Sequence, residues 1–431
     1  RPRSRNNRDL VDRSIWRNHR RLCSDSGAPF GLGNGKGNGK NPSGFHEDHA
    51  GWLWREPRGP EMLVPVKLVL FGPGHPYRGG IARTTSELVQ ALRRRGHEVE
   101  FFSPRRQYPR WLYPGGDDRD PAACPALPGT RAVLDPLAPW TWREVRRAAR
   151  AVGATAWVVP YWTWAWAGWW WSLLGASRRP PAVAVVHNPA DHDAGTVKRL
   201  VARSVLSRCQ GLFTHARSLG RHLEAQFPGV PVASHPIPPP ELNKVPDRGE
   251  ARRLLDLPEE RRVALFLGLI RPYKGVELLL EAFSALPGRE RWLLVVAGEP
   301  WGGLGDRLRR MVGELDLEGL VRLDLRWIPE SEIPALLAAA DVVVLPYRSG
   351  SQSAVAPIAL ASGVPVIASA VGGLPEVVEN GVNGVLVEPG SVEALVRALD
   401  GLDGQRLNAL TEGARAWRGT VTWDSYAAAL E

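Results

Sequence analysis

The feature that most constrains this chain is an alternation, met twice, of short apolar runs and helical patterns joined by glycine-bearing loops. Residues 66–71 form a continuous apolar run ending in a Gly/Pro loop. A helical pattern over 81–95 follows, closed by Gly96. Residues 99–102 read as the next strand. A buried strand, a glycine turn, a helix and a second buried strand make a βαβ unit, which implies a parallel sheet covered by helices on both faces. The spacing goes on to predict strands at 157–159, 182–187 and 211–214, with helices at 142–152, 197–208 and 218–226. A stretch with Pro236, Pro238, Pro239, Pro240 and Pro246 carries no apolar period and reads as an interdomain linker. The pattern then restarts, with strands predicted at 263–267, 293–297, 321–325, 342–345, 365–368 and 385–387. Helices are predicted at 276–285, 306–315, 331–339, 353–361 and 392–399.

The expected fold class is therefore α/β: two Rossmann-like, doubly wound domains facing across a cleft, at 62–240 and 241–431. The last helix is a candidate to pack back on the first domain. Ligands in such sheets bind beyond the C-terminal ends of the strands, although the architecture alone names no reaction. With 431 residues and 44% hydrophobic content there is enough apolar material for two cores. Cys23, Cys124 and Cys209 are widely spaced and give no disulfide framework or zinc pair, which fits a reducing compartment.

The net charge of +10 invites a nucleic-acid reading, but its distribution argues against one. Residues 1–61 hold 12 basic against 7 acidic residues, half of the excess in one seventh of the chain. This stretch has neither helical nor strand period and is expected to be a flexible low-complexity leader. Its Gly31–Lys40 run fails the G-x-x-x-x-G-K spacing of a phosphate loop. No secretory signal is visible, so a cytoplasmic location is expected.

Three loops fall where the cleft should be. In Gly74–Gly80, the pair Gly79-Gly80 precedes a helix and would let backbone N–H groups approach an anion. In Gly268–Gly275, Arg271 and Lys274 stand at a strand's C-terminal end, where a phosphate would be paired. In the third, Ser351, Gln352 and Ser353 lead into a helix with free N–H donors. The blander reading of each is an ordinary turn or a solvated cation. Asp191-His192-Asp193 has the look of a metal-binding pair but no third ligand in view, and Asp117-Asp118 reads as a turn.

Residues 62–431 resemble a retaining GT-B glycosyltransferase of family 4. The resemblance is carried by Gly79-Gly80-Ile81-Ala82, Arg95-Gly96-His97-Glu98-Val99, Arg271-Pro272-Tyr273-Lys274-Gly275, Ala297-Gly298-Glu299, Ala338-Ala339-Ala340-Asp341-Val342 and the run from Gly363 to Gly384. It implies a nucleotide-diphosphate sugar donor on the second domain and a glycan or lipid-linked acceptor on the first, with no cofactor and no metal ion required. Lys274 matches the family's donor-phosphate lysine. The usual partner arginine falls at Leu269, with Arg271 as its substitute two residues on. Gly79 and Gly80 match the glycine loop facing the diphosphate, and His187 matches the histidine near the transferred sugar. The sequence departs from the family in one respect. Two glutamates usually stand eight positions apart where this chain has Gly350 and Ile358; the Ser-Gly-Ser-Gln-Ser loop resembles a Gln-Ser subgroup instead. That loss leaves two other expectations standing, a non-catalytic nucleotide-sugar binding protein and a nucleotide-sugar epimerase of the same architecture.

Residues 151–177 contain no charge and seven tryptophans, Trp157, Trp162, Trp164, Trp166, Trp169, Trp170 and Trp171. Pro160, Gly168 and the strand at 157–159 argue against a membrane span. Seven indoles are bulky for one loop and one short helix, so several are expected at the surface. They would give peripheral contact with the inner face of the membrane, aided by Arg178 and Arg179.

Overall fold

The computed structural model describes residues 64–107, 118–119, 125–135, 137–176, 179–188, 196–242 and 245–431. The expectations for residues 1–61, Asp117, Cys124, Arg178 and Asp191-His192-Asp193 lie outside them.

Two all-parallel sheets organise the chain. The first holds β1 (Lys67–Phe71), β2 (Glu98–Pro104), β3 (Arg131–Leu134), β4 (Ala156–Tyr161), β5 (Ala182–Val186), β6 (Gly211–Thr214) and β7 (Val232–Ser234), in the order β3-β2-β1-β4-β5-β6-β7. The second holds β8 (Arg262–Leu267), β9 (Trp292–Ala297), β10 (Val321–Asp324), β11 (Val342–Leu345), β12 (Val366–Ser369) and β13 (Gly384–Val387), in the order β10-β9-β8-β11-β12-β13. The first strand of each domain is central. Leu68 pairs with both Val99 and Ala156, and Ala264 with both Leu294 and Val342. Between β1 and β4, and between β8 and β11, the winding reverses, which opens the crevice where such sheets take ligands.

The helices flanking the first sheet are α1 (Gly80–Arg94), α2 (Pro139–Ala151), α3 (Ala167–Leu174), α4 (Thr196–Leu206) and α5 (Arg217–Gln226). Those of the second are α6 (Arg248–Leu254), α7 (Val276–Ser284), α8 (Leu304–Glu314), α9 (Ile333–Ala339), α10 (Val355–Ala361), α11 (Val392–Asp400) and α12 (Gly404–Trp417). The final helix, α13 (Trp423–Leu430), leaves the second domain and packs on the first. Trp423, Tyr426 and Ala427 join the apolar cluster of Leu70, Leu88, Phe101 and Phe213. The Glu431 carboxylate fastens its end, accepting from Arg95 Nε at 2.6 Å and meeting His97 Nε2 at 2.8 Å. The proline-rich stretch is more than a solvated linker. Ile237 is buried in that same cluster, and Pro239 O accepts from Trp423 Nε1 at 3.2 Å.

The tryptophan-rich segment corrects an expectation. Trp157, Trp162, Trp166, Trp169 and Trp170 are core residues, and only Trp164 and Trp171 reach the surface, at 47% and 39% exposure. The segment is spread over β4, a 3-10 turn and α3, so its indoles pack into one layer against Phe71. Phe71 meets Trp157 and Trp169 edge-on at 5.5 and 6.1 Å, and Trp142 of α2 closes on Trp169 at 6.1 Å. Helix α3 packs against both α2 and α4, and Ala167, Trp169, Trp170, Leu173 and Leu174 are buried there. Arg179 binds the carbonyls of Leu174 and Pro180 and is committed to this layer. Among the described residues no helix is long and apolar enough to cross a membrane.

Candidate active site

Glycines shape the loops after the switch-point strands. After β1, a Cβ on Gly72 would lie 2.5 Å from Pro160 of β4, so only glycine lets the chain leave the strand there. The loop ends at Gly79 (φ 106°), and α1 starts with no side-chain cap. A Cβ at Gly79 or Gly80 would meet nothing within 4 Å. The first turn of α1 therefore combines an uncapped start with free space beside Gly79 and Gly80.

After β8, Lys274 closes a 3-10 turn, and Gly275 (φ 69°) passes so near Pro346 O that a Cβ would stand 2.1 Å away. Arg348 N donates to Tyr273 O at 2.7 Å, so the loops after β8 and β11 are fastened together. Lys274 Nζ lies 5.4 Å from the centre of the Tyr347 ring. Burial pushes its amine below the ordinary lysine value, and the nearby Arg271 charge adds to this. Among the described residues no carboxylate pairs with it. The structure thus holds a half-buried cation with no carboxylate partner among the described residues where the two loops meet, and such a cation favours an anionic ligand. Arg271 lies beside it with its guanidinium 4.0 Å over the Trp301 ring.

The third loop does two jobs that its sequence did not reveal. Ser351 Oγ donates across the cleft to Asn188 Oδ1 at 2.6 Å and lies 3.3 Å from His187 O. Ser353 Oγ accepts from Val355 N at 3.2 Å and lies 3.3 Å from the Tyr347 hydroxyl. These two hydroxyls are committed, while the N–H groups of Ser351, Gln352 and Ser353 have no partner among the described residues. Ile358 is buried in the core of the second domain. His187 stands at the end of β5, 4% exposed, with its backbone N–H donating to Tyr161 O at 2.8 Å.

Sequence reading missed the contacts that bring the halves together. Glu376 of the second domain caps α5 of the first, its carboxylate accepting from Arg217 N at 2.7 Å and Ser218 N at 2.9 Å. Gly373 allows this approach, since a Cβ there would meet Ala216 Cβ at 2.9 Å. Arg83 of α1 pairs with Glu330 at 3.8 Å, and the Arg78 guanidinium lies 5.3 Å over Trp327. The lip bearing Gly79 and Gly80 therefore faces the loop after β10. A long-range cap has no local spacing and is invisible in one sequence. Glu376→Ala should remove about 1 kcal/mol of capping energy and shift the domains towards an open arrangement. X-ray scattering checks this; an unchanged radius of gyration would show that Glu376 does not hold the halves.

Burial pushes the His187 imidazole down to about 4 from its ordinary 6.5, and His215 is lowered too, chiefly by burial. Between those values the unfolded chain binds protons that the folded one refuses. Stability therefore carries no such penalty above pH 6.5 and falls as pH drops towards 4. Melting temperatures across this window should decline steeply for the wild type and less for His187→Gln.

Family comparisons agree with this geometry. A model described as Glycosyltransferase Family 4 matches residues 78–261, and one described as Glycosyl transferases group 1 matches residues 247–417. Together they account for both domains. The chain belongs to the GT-B, family 4-like glycosyltransferases. Among curated relatives of this glycosyltransferase, the D-inositol 3-phosphate glycosyltransferases of Mycobacterium tuberculosis and Mycobacterium bovis are 37% identical over 191 residues, 43% of this chain and 39% of theirs. The match thus spans well under half the length of those relatives. Among solved structures, the sucrose-phosphate synthase of Thermosynechococcus elongatus superposes with a TM-score of 0.70 at 21% identity, covering 84% of this chain and 97% of its own. Anabaena HepE in complex with UDP and glucose gives 0.67 at 20% identity, covering 84% and 98%. At such identities the likeness is one of fold.

Proposed function

We propose that this protein transfers a sugar from a nucleotide-diphosphate donor to an acceptor hydroxyl, with retention of anomeric configuration and without a metal ion. The observation that carries this reading is Lys274, a half-buried cation with no carboxylate partner among the described residues at the switch point of the second domain. Arg271 and the N–H groups of Ser351, Gln352 and Ser353 would complete a seat for the diphosphate. Gly79 and Gly80 would close it from the opposite domain. In this reading the glycosidic C–O bond to the β-phosphate breaks as the acceptor oxygen bonds to the same face of the sugar. The acceptor's proton passes to a leaving phosphate oxygen. The protein's share is to stabilise the negative charge growing on that phosphate with groups already in place. His187 would hold a sugar hydroxyl, and closure of the domains would exclude water.

The acceptor would dock on the first domain as a glycan or lipid-linked hydroxyl. Since HepE carries UDP and glucose, UDP-glucose heads the donor panel. The test is to incubate the protein with nucleotide sugars and a cell extract of acceptors and follow nucleoside diphosphate release and glycosylated product by mass spectrometry. Donor-dependent product supports the reading. A non-catalytic binder is the second reading, favoured by Gly350 and the buried Ile358, and tight donor binding with no turnover would establish it. An isomerised donor with no acceptor product would point to an epimerase.

A further inference from the structure

Behind His187 lies a buried chain of polar groups that the transfer reaction does not use directly. His187 Nδ1 is 3.1 Å from His215 Nε2, and His215 Nδ1 is 3.3 Å from the Tyr426 hydroxyl. His215 is 5% exposed and Tyr426 fully buried. The His215 and Tyr426 rings lie nearly parallel, 16° apart. His235 packs edge-on against Tyr426, and its Nδ1 donates to Pro236 O at 2.8 Å, which spends that proton locally. The groups on this chain come from three places: the end of β5, the turn after β6 and α13.

The direction of the hydrogen bonds follows from counting protons. Tyr426 Oη has a single hydrogen-bond partner among the described residues, His215 Nδ1. If His215 donated from Nδ1, the phenol proton would be buried with no acceptor, the costlier kind of defect because a lone pair tolerates neglect better than a donor. So Tyr426 donates to His215 Nδ1. That puts the His215 proton on Nε2, which donates to His187 Nδ1, and the His187 proton is forced onto Nε2. Burial keeps His187 and His215 neutral near pH 7 and the phenol protonated, so the direction is not scrambled by extra charge. His187 Nε2 has no partner among the described residues.

We infer that Tyr426 and His215 are positioning residues that fix His187 as the Nε2-protonated tautomer, leaving it a hydrogen-bond donor towards the cleft and not a base. This deepens the sugar-holding role proposed for His187 and rests on it. A donor suits a sugar hydroxyl oxygen, and it leaves the acceptor's proton to the departing phosphate. It also means that a residue five positions from the end of the chain sets the chemistry of a group on β5, through a helix that has crossed between domains.

Nitrogen-15 NMR of histidine-labelled full-length protein reads the tautomer directly, with Tyr426→Phe as the variant because it removes only one oxygen from a retained ring. The wild type should show His187 protonated at Nε2. Tyr426→Phe should show a mixture of tautomers, with the donor bound more weakly and kcat lowered about tenfold. Wild-type His187 protonated at Nδ1 would overturn the inference, as would a Tyr426→Phe spectrum identical to wild type. His215→Gln, whose amide can still donate to His187 Nδ1, should restore the Nε2 tautomer relative to His215→Leu; equal spectra for the two would likewise count against it. The tautomer is measured without turnover, so an inactive protein with the stated tautomer would refute the proposed transfer and leave the hydrogen-bond chain intact.

Discussion

Lys274→Ala is expected to lower turnover about 100-fold or more while leaving the protein at least as stable as the wild type. The kinetic loss follows from removing the cation nearest the phosphate seat, since losing one preorganised charge partner of a developing anion costs about 3 kcal/mol. The stability half is the sharper claim. The amine is held below its ordinary value by burial and by Arg271, and among the described residues no carboxylate compensates it. Lys274 is half-buried, so deleting this cation, which has no carboxylate partner, removes a desolvation cost; deleting one member of an ion pair would leave its partner stranded. Arg271→Ala should be milder in turnover, because its guanidinium is shared with the Trp301 ring at 4.0 Å. Steady-state kinetics beside thermal melts separate the cases. A fall in melting temperature together with unchanged turnover would mean that Lys274 serves the fold.

Trp170→Ser should destabilise the first domain by about 3–5 kcal/mol, enough to leave much of it unfolded at 37 °C. The residue is 1% exposed and packs against Trp162, Trp166 and Trp169 at 6.3, 5.9 and 6.1 Å. Serine would leave a cavity the size of an indole in a layer made of indoles. Trp170→Phe should cost far less. The Nε1 of Trp170, like those of Trp157 and Trp169, is buried without a hydrogen-bond partner among the described residues, so losing that donor offsets part of the lost contact area. Chemical denaturation of both variants tests this. Equal, small losses would mean that the segment is a surface patch after all.

The strands flanking the cleft were legible because they are buried on both faces and read as unbroken apolar runs. The edge strands β3 and β7 were not, since β3 opens on the exposed Arg131 and β7 is only three residues long. Lys274 and the glycine loops could be placed because strand, loop and helix follow one another in sequence. The clasp of Glu376 on α5 and the chain from Tyr426 to His187 join residues 159 and 239 positions apart, by contacts that no local spacing encodes. The burial of most of the tryptophans was not legible for a related reason. An uncharged, aromatic segment is equally what a membrane-facing patch and a helix walled in on both sides require, and only the packing of α2 and α4 decides between them.

The anomeric configuration of the first product formed from an α-linked donor, read from the anomeric proton coupling by NMR, tests the central claim most directly. Attack from the face the phosphate leaves, with that phosphate taking the acceptor's proton and Lys274 holding its charge, predicts an α-linked product. A β-linked product would require attack from the opposite face with a separate base, and would contradict the account.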